Sequence, residues 1–412
     1  MTRLILLALF LLQFAVAAWA EMLVPQLMGE RLRAGELARL EQDLSQRLAA
    51  QPKDDQARFA LGAAQFLRTV EGLAQGMYRY GLQAPRDMQR NLPFFRFPLP
   101  RNPAPEKLDY EKMRDVFKAA LDGFVQTDAT LAGLGDNDIK LPISIGLARL
   151  DLNGDGKVGE QEELWRVLDA SLGGGNISQE QAERFIITFD RADAAWLRGY
   201  TNLLSALIEF MLAHDGKASF DVSAHMLFPE AGLPNAALEQ QNRAPDQYFD
   251  MASIADVLAA IHLMHWEVRE PERMKSALSH LEIMVAMSRE SWRFILAEAD
   301  DEAEWIPSPK QKNAVLTGII VTQQTVDGWM AVLDEFSAIL AGKKLVPHWR
   351  LDKGINLRRA MLEEKVFDPI LWVQGSAALP FLEDGPVTET QTWDRIMTML
   401  QGNFLGYAVW FN

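Results

Sequence analysis

The chain contains no cysteine among its 412 residues. This absence excludes disulfide bonds, thiol catalysis, zinc sites with cysteine ligands and cysteine-bound iron–sulfur clusters. A chain of this length does not depend on disulfide bonds for stability, because it is long enough to bury a sizeable hydrophobic core. We expect that core to be divided among two or three helical subdomains.

The sequence also lacks the common short motifs of enzyme active sites. It has no glycine-rich phosphate-binding loop, no G-x-S-x-G sequence and no H-E-x-x-H sequence. Asp and Glu together number 56, so no pair of carboxylates can be singled out for acid–base catalysis. The sequence therefore gives no reason to assign an enzymatic activity, and an enzyme without a recognisable motif is the weakest of the alternatives.

Positive charge is scarce relative to negative charge. Lys and Arg number 41 against 56 Asp and Glu, which gives a formal net charge of −15 at pH 7. An acidic surface repels phosphate groups, so nucleic acids and anionic lipids are poor candidates for partners. The same charge is compatible with the binding of divalent cations.

Long apolar runs are absent beyond the N-terminus, so we expect no transmembrane helix in the mature chain. The N-terminus itself has the three parts of a secretory signal peptide. Arg3 provides a positive start, residues 4–16 form an apolar run, and residues 18–20 read Ala-Trp-Ala, a small-x-small cleavage site. We predict that residues 1–20 are removed after Ala20 and that the protein is exported, either to the periplasm or as a secreted protein. An uncleaved N-terminal anchor is the alternative.

One segment, DLNGDGKVGEQE, begins at Asp151 and matches the pattern D-x-[DN]-x-[DN]-G-x5-E at every specified position. Asp151, Asn153 and Asp155 occupy positions 1, 3 and 5, where each offers a side-chain oxygen. Lys157 at position 7 offers its backbone carbonyl, and Glu162 at position 12 offers both carboxylate oxygens. Calcium prefers six to eight oxygen ligands, so these residues form a candidate Ca²⁺ site.

This segment resembles the loop of the EF-hand calcium-binding superfamily, in which one helix enters the loop and a second helix leaves it. Gly156 at position 6 permits the sharp turn that the loop requires. The resemblance implies that Val158 at position 8 pairs with a partner loop through a short β-bridge. Apolar residues at helical spacing predict the entering helix from Pro142 to Leu150 and the exiting helix from Leu164. A surface turn rich in Asp, Asn and Gly is the alternative.

EF-hands normally occur in pairs, and the next segment resembles a second hand. Residues 172–190 are similar to the linker and the entering helix between two hands of calmodulin-like proteins. A second loop would begin at Asp190, but Asp190 alone matches a ligand position, and Ala195 stands in place of the glycine. We predict a degenerate hand that packs against the first and binds no calcium. One uninterrupted helix from Ser178 to Leu212 is the alternative.

Apolar residues recur with a period near 3.6 along most of the chain, which predicts an all-α, multi-helix fold with Pro-rich connectors. Residues 34–82 are predicted to form a two-helix hairpin in which Gly62, Ala74 and Tyr78 fall at spacings typical of a tetratricopeptide repeat. That resemblance to a single repeat implies a packing or interaction module, and an ordinary helical hairpin is the alternative. The predicted domains are the hairpin with its connector (21–105), the EF-hand region (106–215) and a C-terminal helical region (216–412).

These features together predict an exported calcium-binding protein in which one functional EF-hand braces or switches a helical body. The expected partners are a calcium ion and a protein bound through the helical hairpin. In the alternative, the protein is an envelope scaffold or a partner-binding module, and calcium is incidental to its function.

Overall fold

The computed structural model describes residues 22–83, 99–171, 177–184, 186–238, 251–299, 301, 304–312, 321–400 and 411. Helix accounts for 62% of these residues and strand for 8%, which confirms the predicted helical class but adds small sheets that the prediction did not include. The predicted signal peptide (1–20) and residues 90–98 of the predicted Pro-rich connector (90–105) lie outside the described residues. Within the described ranges, no helix combines the length and the apolar composition that crossing a bilayer requires.

Helices form the N-terminal part of the fold. They are α1 (Val24–Ala34), α2 (Leu37–Ala50), α3 (Asp55–Arg79) and α4 (Tyr110–Ala132). α1 is capped at its C-terminus by Gly35, whose φ of 67° is a left-handed conformation that favours glycine. α3 begins after Asp54, whose side chain accepts a hydrogen bond from the backbone N–H of Ala57 at 2.9 Å. The predicted two-helix hairpin corresponds to α2 and α3.

Two glycines of α3, Gly62 and Gly76, face α4 rather than α2. A Cβ added to Gly62 would lie 2.4 Å from Leu131 Cδ2, and a Cβ added to Gly76 would lie 2.9 Å from Val116 Cγ1. These glycines therefore permit the close approach of α3 and α4. The predicted hairpin is thus packed against a third helix, which belongs to the next region of the chain.

The segment with the predicted calcium loop follows α4. It contains β1 (Leu141–Ile143), 3₁₀ helices at Ile145–Leu147 and Glu160–Glu162, α5 (Leu164–Ser171), α6 (Gln179–Arg184) and β2 (Ile187–Phe189). β1 and β2 pair in antiparallel orientation, with Leu141 opposite Phe189. Leu150 and Leu152, at the start of the loop, are fully buried in the same hydrophobic core as α1, α2 and α3. The loop is therefore anchored in the N-terminal core.

The long helix α7 (Arg191–Ala213) connects two hydrophobic cores and packs along α10 (Pro271–Ile295). Ala194 and Leu197 belong to the N-terminal core, whereas Ala192 belongs to the C-terminal core. The side chain of Trp196 packs against both. The predicted domain boundaries near residues 105 and 215 stay predictions.

The C-terminal part combines helices with two small antiparallel sheets. Its helices are α8 (Lys217–Ser223), α9 (Met251–His262), α11 (Gln323–Leu340), α12 (Leu357–Glu363), α13 (Pro369–Gln374) and α14 (Thr390–Met399). β3 (Trp266–Glu267) pairs with β6 (Val366–Phe367), and β5 (Leu351–Ile355) pairs with both β4 (Val346–His348) and β7 (Leu382–Glu383). Phe411 is buried against Trp292 and Trp329, with ring centroids 4.7 and 5.7 Å away, so the side chain of Phe411 is part of this core.

Carboxylates cluster where α7 begins and where the chain continues after α10. Asp193 and Glu304 are buried in this cluster. Burial is the largest cause that raises the pKa of Asp193 well above its usual value, and the charges of Asp190, Glu304 and Glu298 act in the same direction. Burial, followed by the charge of Asp190, raises the pKa of Glu298 to about 8. The folded protein therefore retains protons that the unfolded chain releases at lower pH.

Replacing Glu298 by Gln is expected to stabilise the protein at pH 8. Glu298 titrates near pH 4.5 in the unfolded chain and at about 8 in the folded protein. Its contribution to stability is therefore fully present below pH 4.5 and is lost as the pH rises toward 8. Because the side chain is only half-buried and solvent screens its charge, we expect Glu298→Gln to raise the free energy of unfolding at pH 8 by on the order of 1 kcal/mol.

Urea denaturation at pH 4 and pH 8 measures this effect. Glu272→Gln is the matched control, because Glu272 is an exposed glutamate on α10 that pairs with Lys275. The control should change stability little at either pH. If Glu298→Gln changed the free energy of unfolding equally at both pH values, this would contradict the raised pKa of Glu298.

Candidate calcium-binding site

Left-handed glycines shape the predicted calcium loop. Gly154 and Gly156 both have a φ of 74°, a backbone conformation that residues with a Cβ adopt at a cost. A Cβ added to Gly156 would meet no atom within 4 Å, so glycine is required there by the backbone and not by lack of space. The sharp turn predicted at position 6 is therefore present, and it is accompanied by a second one at Gly154.

The carboxylate of Asp151 is the centre around which the loop folds. Its Oδ1 accepts hydrogen bonds from the backbone N–H groups of Gly154 at 2.8 Å and Asp155 at 3.2 Å. Its Oδ2 accepts one from the N–H of Gly156 at 2.9 Å. One side chain at position 1 therefore orders the backbone up to position 6.

The other predicted ligands are turned toward the loop in the same way. Asn153 Oδ1 accepts from the N–H of Asp155 at 2.9 Å, and Asp155 Oδ1 accepts from the N–H of Lys157 at 2.8 Å. Glu162 Oε2 accepts from the N–H of Gly159 at 2.9 Å. All four predicted side-chain ligands thus accept hydrogen bonds from backbone N–H groups of the loop, and the N–H of Lys157 is one of these donors.

Glu162 also connects the two ends of the loop. Its Oε1 accepts from the N–H of Leu152 at 3.1 Å, and its backbone carbonyl accepts from the N–H of Leu150 at 3.1 Å. An isolated β-bridge pairs Arg149 with Glu163 directly outside these bonds. The loop is therefore closed by strand-like pairing at its base.

The prediction of an entering helix from Pro142 to Leu150 is wrong. The chain forms β1 and then a short 3₁₀ helix that ends at Leu147. Pro142 has no N–H to donate and favours an extended conformation of the residue before it, and the side chains of Leu141 and Ile143 are buried as part of β1. The exiting helix was predicted at Leu164, and α5 begins at that residue.

Val158 does not take part in a β-bridge with a partner loop. Its side chain lies against the turn after α1, since a Cβ added to Gly35 would be only 2.5 Å from Val158 Cγ1. The apolar residue at position 8 therefore packs onto the N-terminal helices. The reason is that no second loop is present in the described residues to pair with it.

The predicted second loop at Asp190 is wrong, because these residues form the start of α7. The side chain of Asp190 accepts from the N–H of Ala192 at 2.6 Å, and Asp193 Oδ2 accepts from the N–H of Asp190 at 2.9 Å. This reciprocal arrangement is a capping box, and the alanines that follow favour helix. The alternative of one helix from Ser178 to Leu212 is also wrong, because β2 separates α6 from α7.

Glu71 and Gln75 of α3 belong to the site and were not predicted. Glu71 Oε1 accepts from the backbone N–H of Asp151 at 2.8 Å, and Gln75 Nε2 donates to the Asp151 carbonyl at 2.7 Å. Burial raises the pKa of Glu71 to about 7, although its hydrogen bond from Asp151 acts in the opposite direction; the charges of Asp151 and Glu162 raise it further. Glu71 precedes Asp151 by 80 residues, so no spacing in the sequence indicates this contact.

The donor chemistry of the loop fits a hard cation, because every predicted ligand offers oxygen. In the described part of the chain, however, no three His, Cys, Asp or Glu side chains come together as a group that could hold a metal ion. The EF-hand ligand set also uses amide, backbone carbonyl and water oxygens. The loop conformation therefore supports the prediction of a calcium site, and calcium binding itself stays a prediction.

Comparison of the chain with family models, with curated proteins and with solved structures finds no match. The interpretation of the site therefore depends on the geometry of the loop.

Substituting Gly156 by Ala is expected to destabilise the loop. The left-handed φ of 74° disfavours a Cβ by about 1–2 kcal/mol, and the turn at position 6 determines where the ligands lie. We expect the backbone amides of the loop that donate hydrogen bonds to exchange faster in Gly156→Ala than in the unmodified protein. Amide hydrogen exchange measures that change.

Gly159→Ala is the matched control for this experiment. Gly159 lies in the same loop but has a φ of −109°, and a Cβ added to it would meet nothing within 4 Å. The control should leave the exchange rates of the loop nearly unchanged. Equal effects of the two substitutions on exchange would show that the left-handed conformation of Gly156 does not determine the stability of the loop.

Proposed function

We propose that the protein is an exported calcium-binding protein whose one EF-hand-like loop holds a calcium ion that braces the helical body. The observation that carries this proposal is the loop itself. Its four side-chain ligand candidates each accept backbone N–H groups of the same loop, and glycine provides the turn at position 6. A generic surface turn does not require this combination of residues.

The ion would be held by the side chains of Asp151, Asn153 and Asp155, by the backbone carbonyl of Lys157 and by both carboxylate oxygens of Glu162. Calcium would supply positive charge where three carboxylates lie on one short loop. It would also link position 1 to position 12, which are the two ends of the loop. Since Leu150 and Leu152 are buried in the N-terminal core, this link would stabilise that core.

Export fits a structural use of calcium. The predicted signal peptide would place the mature protein outside the cytoplasm, and extracellular calcium modules bind their ion with Kd values of about 10⁻⁴–10⁻³ M. Three carboxylates and one asparagine suit a site of moderate affinity. Such a site stays filled when calcium is abundant and acts as a clip rather than as a sensor of calcium pulses.

A second candidate is a partner-binding module, and an exposed apolar patch near α13 favours it. The side chains of Trp349, Ile370 and Val373 are 77%, 50% and 68% exposed. Trp349 Nε1 donates to the carbonyl of Val373 at 3.2 Å, which holds the indole beside α13. Exposed apolar patches often mark interaction sites. In this case, calcium would be incidental to the function.

Calcium titration calorimetry on the mature protein tests the proposed function. We expect one ion per chain and a higher melting temperature in saturating calcium, because a ligand that binds the folded state stabilises it. Glu162→Gln should weaken binding by at least about tenfold, equivalent to ~1.4 kcal/mol, because it removes the bidentate ligand.

Glu160→Gln is the matched control, because Glu160 lies in the same loop, is exposed and occupies no ligand position. Its affinity for calcium should be close to that of the unmodified protein. If the unmodified protein gives no binding heat and no shift in melting temperature, the proposed calcium binding is wrong. The partner-binding module is then the better supported function.

A further inference from the structure

We propose that α3 takes the place of the missing entering helix, with Glu71 and Gln75 as positioning residues that set the calcium affinity through Asp151. Calcium binding and the docking of α3 on the loop are then coupled. This inference rests on the proposed calcium binding.

Both backbone groups of Asp151 are bonded to one helix. Its N–H donates to Glu71 Oε1 at 2.8 Å, and its carbonyl accepts from Gln75 Nε2 at 2.7 Å. Residues four apart lie on the same face of a helix, so Glu71 and Gln75 both contact Asp151, at the first ligand position, from one face of α3. The side chain of Gln75 also lies beside the turn, since a Cβ added to Gly154 would be 3.6 Å from its Cδ.

An EF-hand normally holds its first ligand at the end of the entering helix, whose backbone hydrogen bonds fix the residue. In this protein the 3₁₀ helix ends at Leu147, and Ala148 is already extended with φ −64° and ψ 138°. Arg149 donates its N–H to the carbonyl of Leu32 in α1 at 2.8 Å. The backbone before and at position 1 is therefore held by α1 and α3, which are distant in sequence.

The two hydrogen bonds give the coupling its direction. They hold the backbone of Asp151 on both sides of its side chain, which is the first ligand candidate of the loop. A divalent cation bound by that side chain would hold the same backbone in the position at which both bonds form, so the ion would tighten the contact with α3. Coupling between binding and docking is reciprocal, so weaker docking must weaken calcium binding.

The experiment measures calcium affinity by titration calorimetry in the full mature chain, with CaCl₂ as the only ligand. Gln75→Met keeps the size and charge of the side chain but removes the donor to Asp151. Glu71→Ala removes the acceptor, whereas Glu71→Gln keeps an acceptor oxygen. We expect Gln75→Met and Glu71→Ala to weaken calcium binding by about two- to tenfold each, and Glu71→Gln to retain most of the affinity.

Gln56→Met is the matched control. Gln56 lies on the same helix and also donates to a distant backbone carbonyl, that of Lys140 at 2.9 Å, but it does not touch the loop. This variant should bind calcium as tightly as the unmodified protein. Far-UV circular dichroism of all four variants establishes that each is folded before its affinity is interpreted.

Amide hydrogen exchange provides a second measurement. If Gln75 only stabilised the fold, the slowing of exchange by calcium would not depend on this residue. Calcium should slow exchange in the C-terminal half of α3 in the unmodified protein and in Gln56→Met, and it should do so much less in Gln75→Met. If the unmodified protein binds calcium and both Gln75→Met and Glu71→Ala bind it equally well, the inference is overturned and the proposed function stands.

Two other results also count against the inference. Equal weakening by Glu71→Gln and Glu71→Ala would overturn the positioning role of Glu71, because the retained acceptor would then have made no difference. An unmodified protein that does not bind calcium at all would overturn the proposed function and, with it, this inference.

Discussion

The backbone of Asp151 is bonded on both sides to α3, and this constraint makes the predicted calcium loop a part of the N-terminal core. Leu150 and Leu152, on either side of Asp151, are fully buried in that core. Both carboxylate oxygens of Asp151 accept hydrogen bonds from backbone N–H groups of the loop, so its side chain is directed toward the loop while its neighbours are buried. Packing and hydrogen bonding therefore act together to present the first ligand.

Helix α7 connects the segment that contains the loop to the C-terminal part of the protein. Its first turn is fixed by the capping box of Asp190 and Asp193, and β2, directly before it, pairs with β1, which leads into the loop. Farther along, Trp196 stacks on Tyr200 with ring centroids 5.2 Å apart and meets the edge of Trp305 at 5.7 Å. These contacts connect the start of α7, which lies beside the loop segment, to the junction of the two hydrophobic cores.

The loop could be predicted from the sequence because its determinants lie within twelve residues. The carboxylate of Asp151 bonds to N–H groups three, four and five positions later, and Gly156 sits where the turn requires it. The flanking structure could not be predicted in the same way. β1 exists because it pairs with β2, which lies more than forty residues later, and local apolar spacing cannot reveal such a partner.

Asp190 illustrates a second limit of local patterns. Aspartate is suited both to the first position of a calcium loop and to the N-cap of a helix, because each use presents its side-chain oxygens to backbone N–H groups. The residues that follow decide between the two, and here Ala192, Ala194 and Ala195 favour helix. Glu71 shows the opposite problem, since its role depends on a tertiary contact that leaves no mark in its own segment.

The architecture around the loop bears on whether calcium would brace the protein or switch it. Sensor EF-hands respond to calcium by changing the angle between the entering and exiting helices, which exposes an apolar groove. Here β1 and a 3₁₀ helix stand where the entering helix would be, and α7 occupies the place of the second loop, so the described residues contain no pair of hands that could open. An ion in this loop can act on the fold through the contact of Asp151 with α3 and through the buried leucines beside it. Both connections lead into a packed core that resists large displacements. This favours a bracing role, in which the ion stabilises one arrangement, over a switch between two.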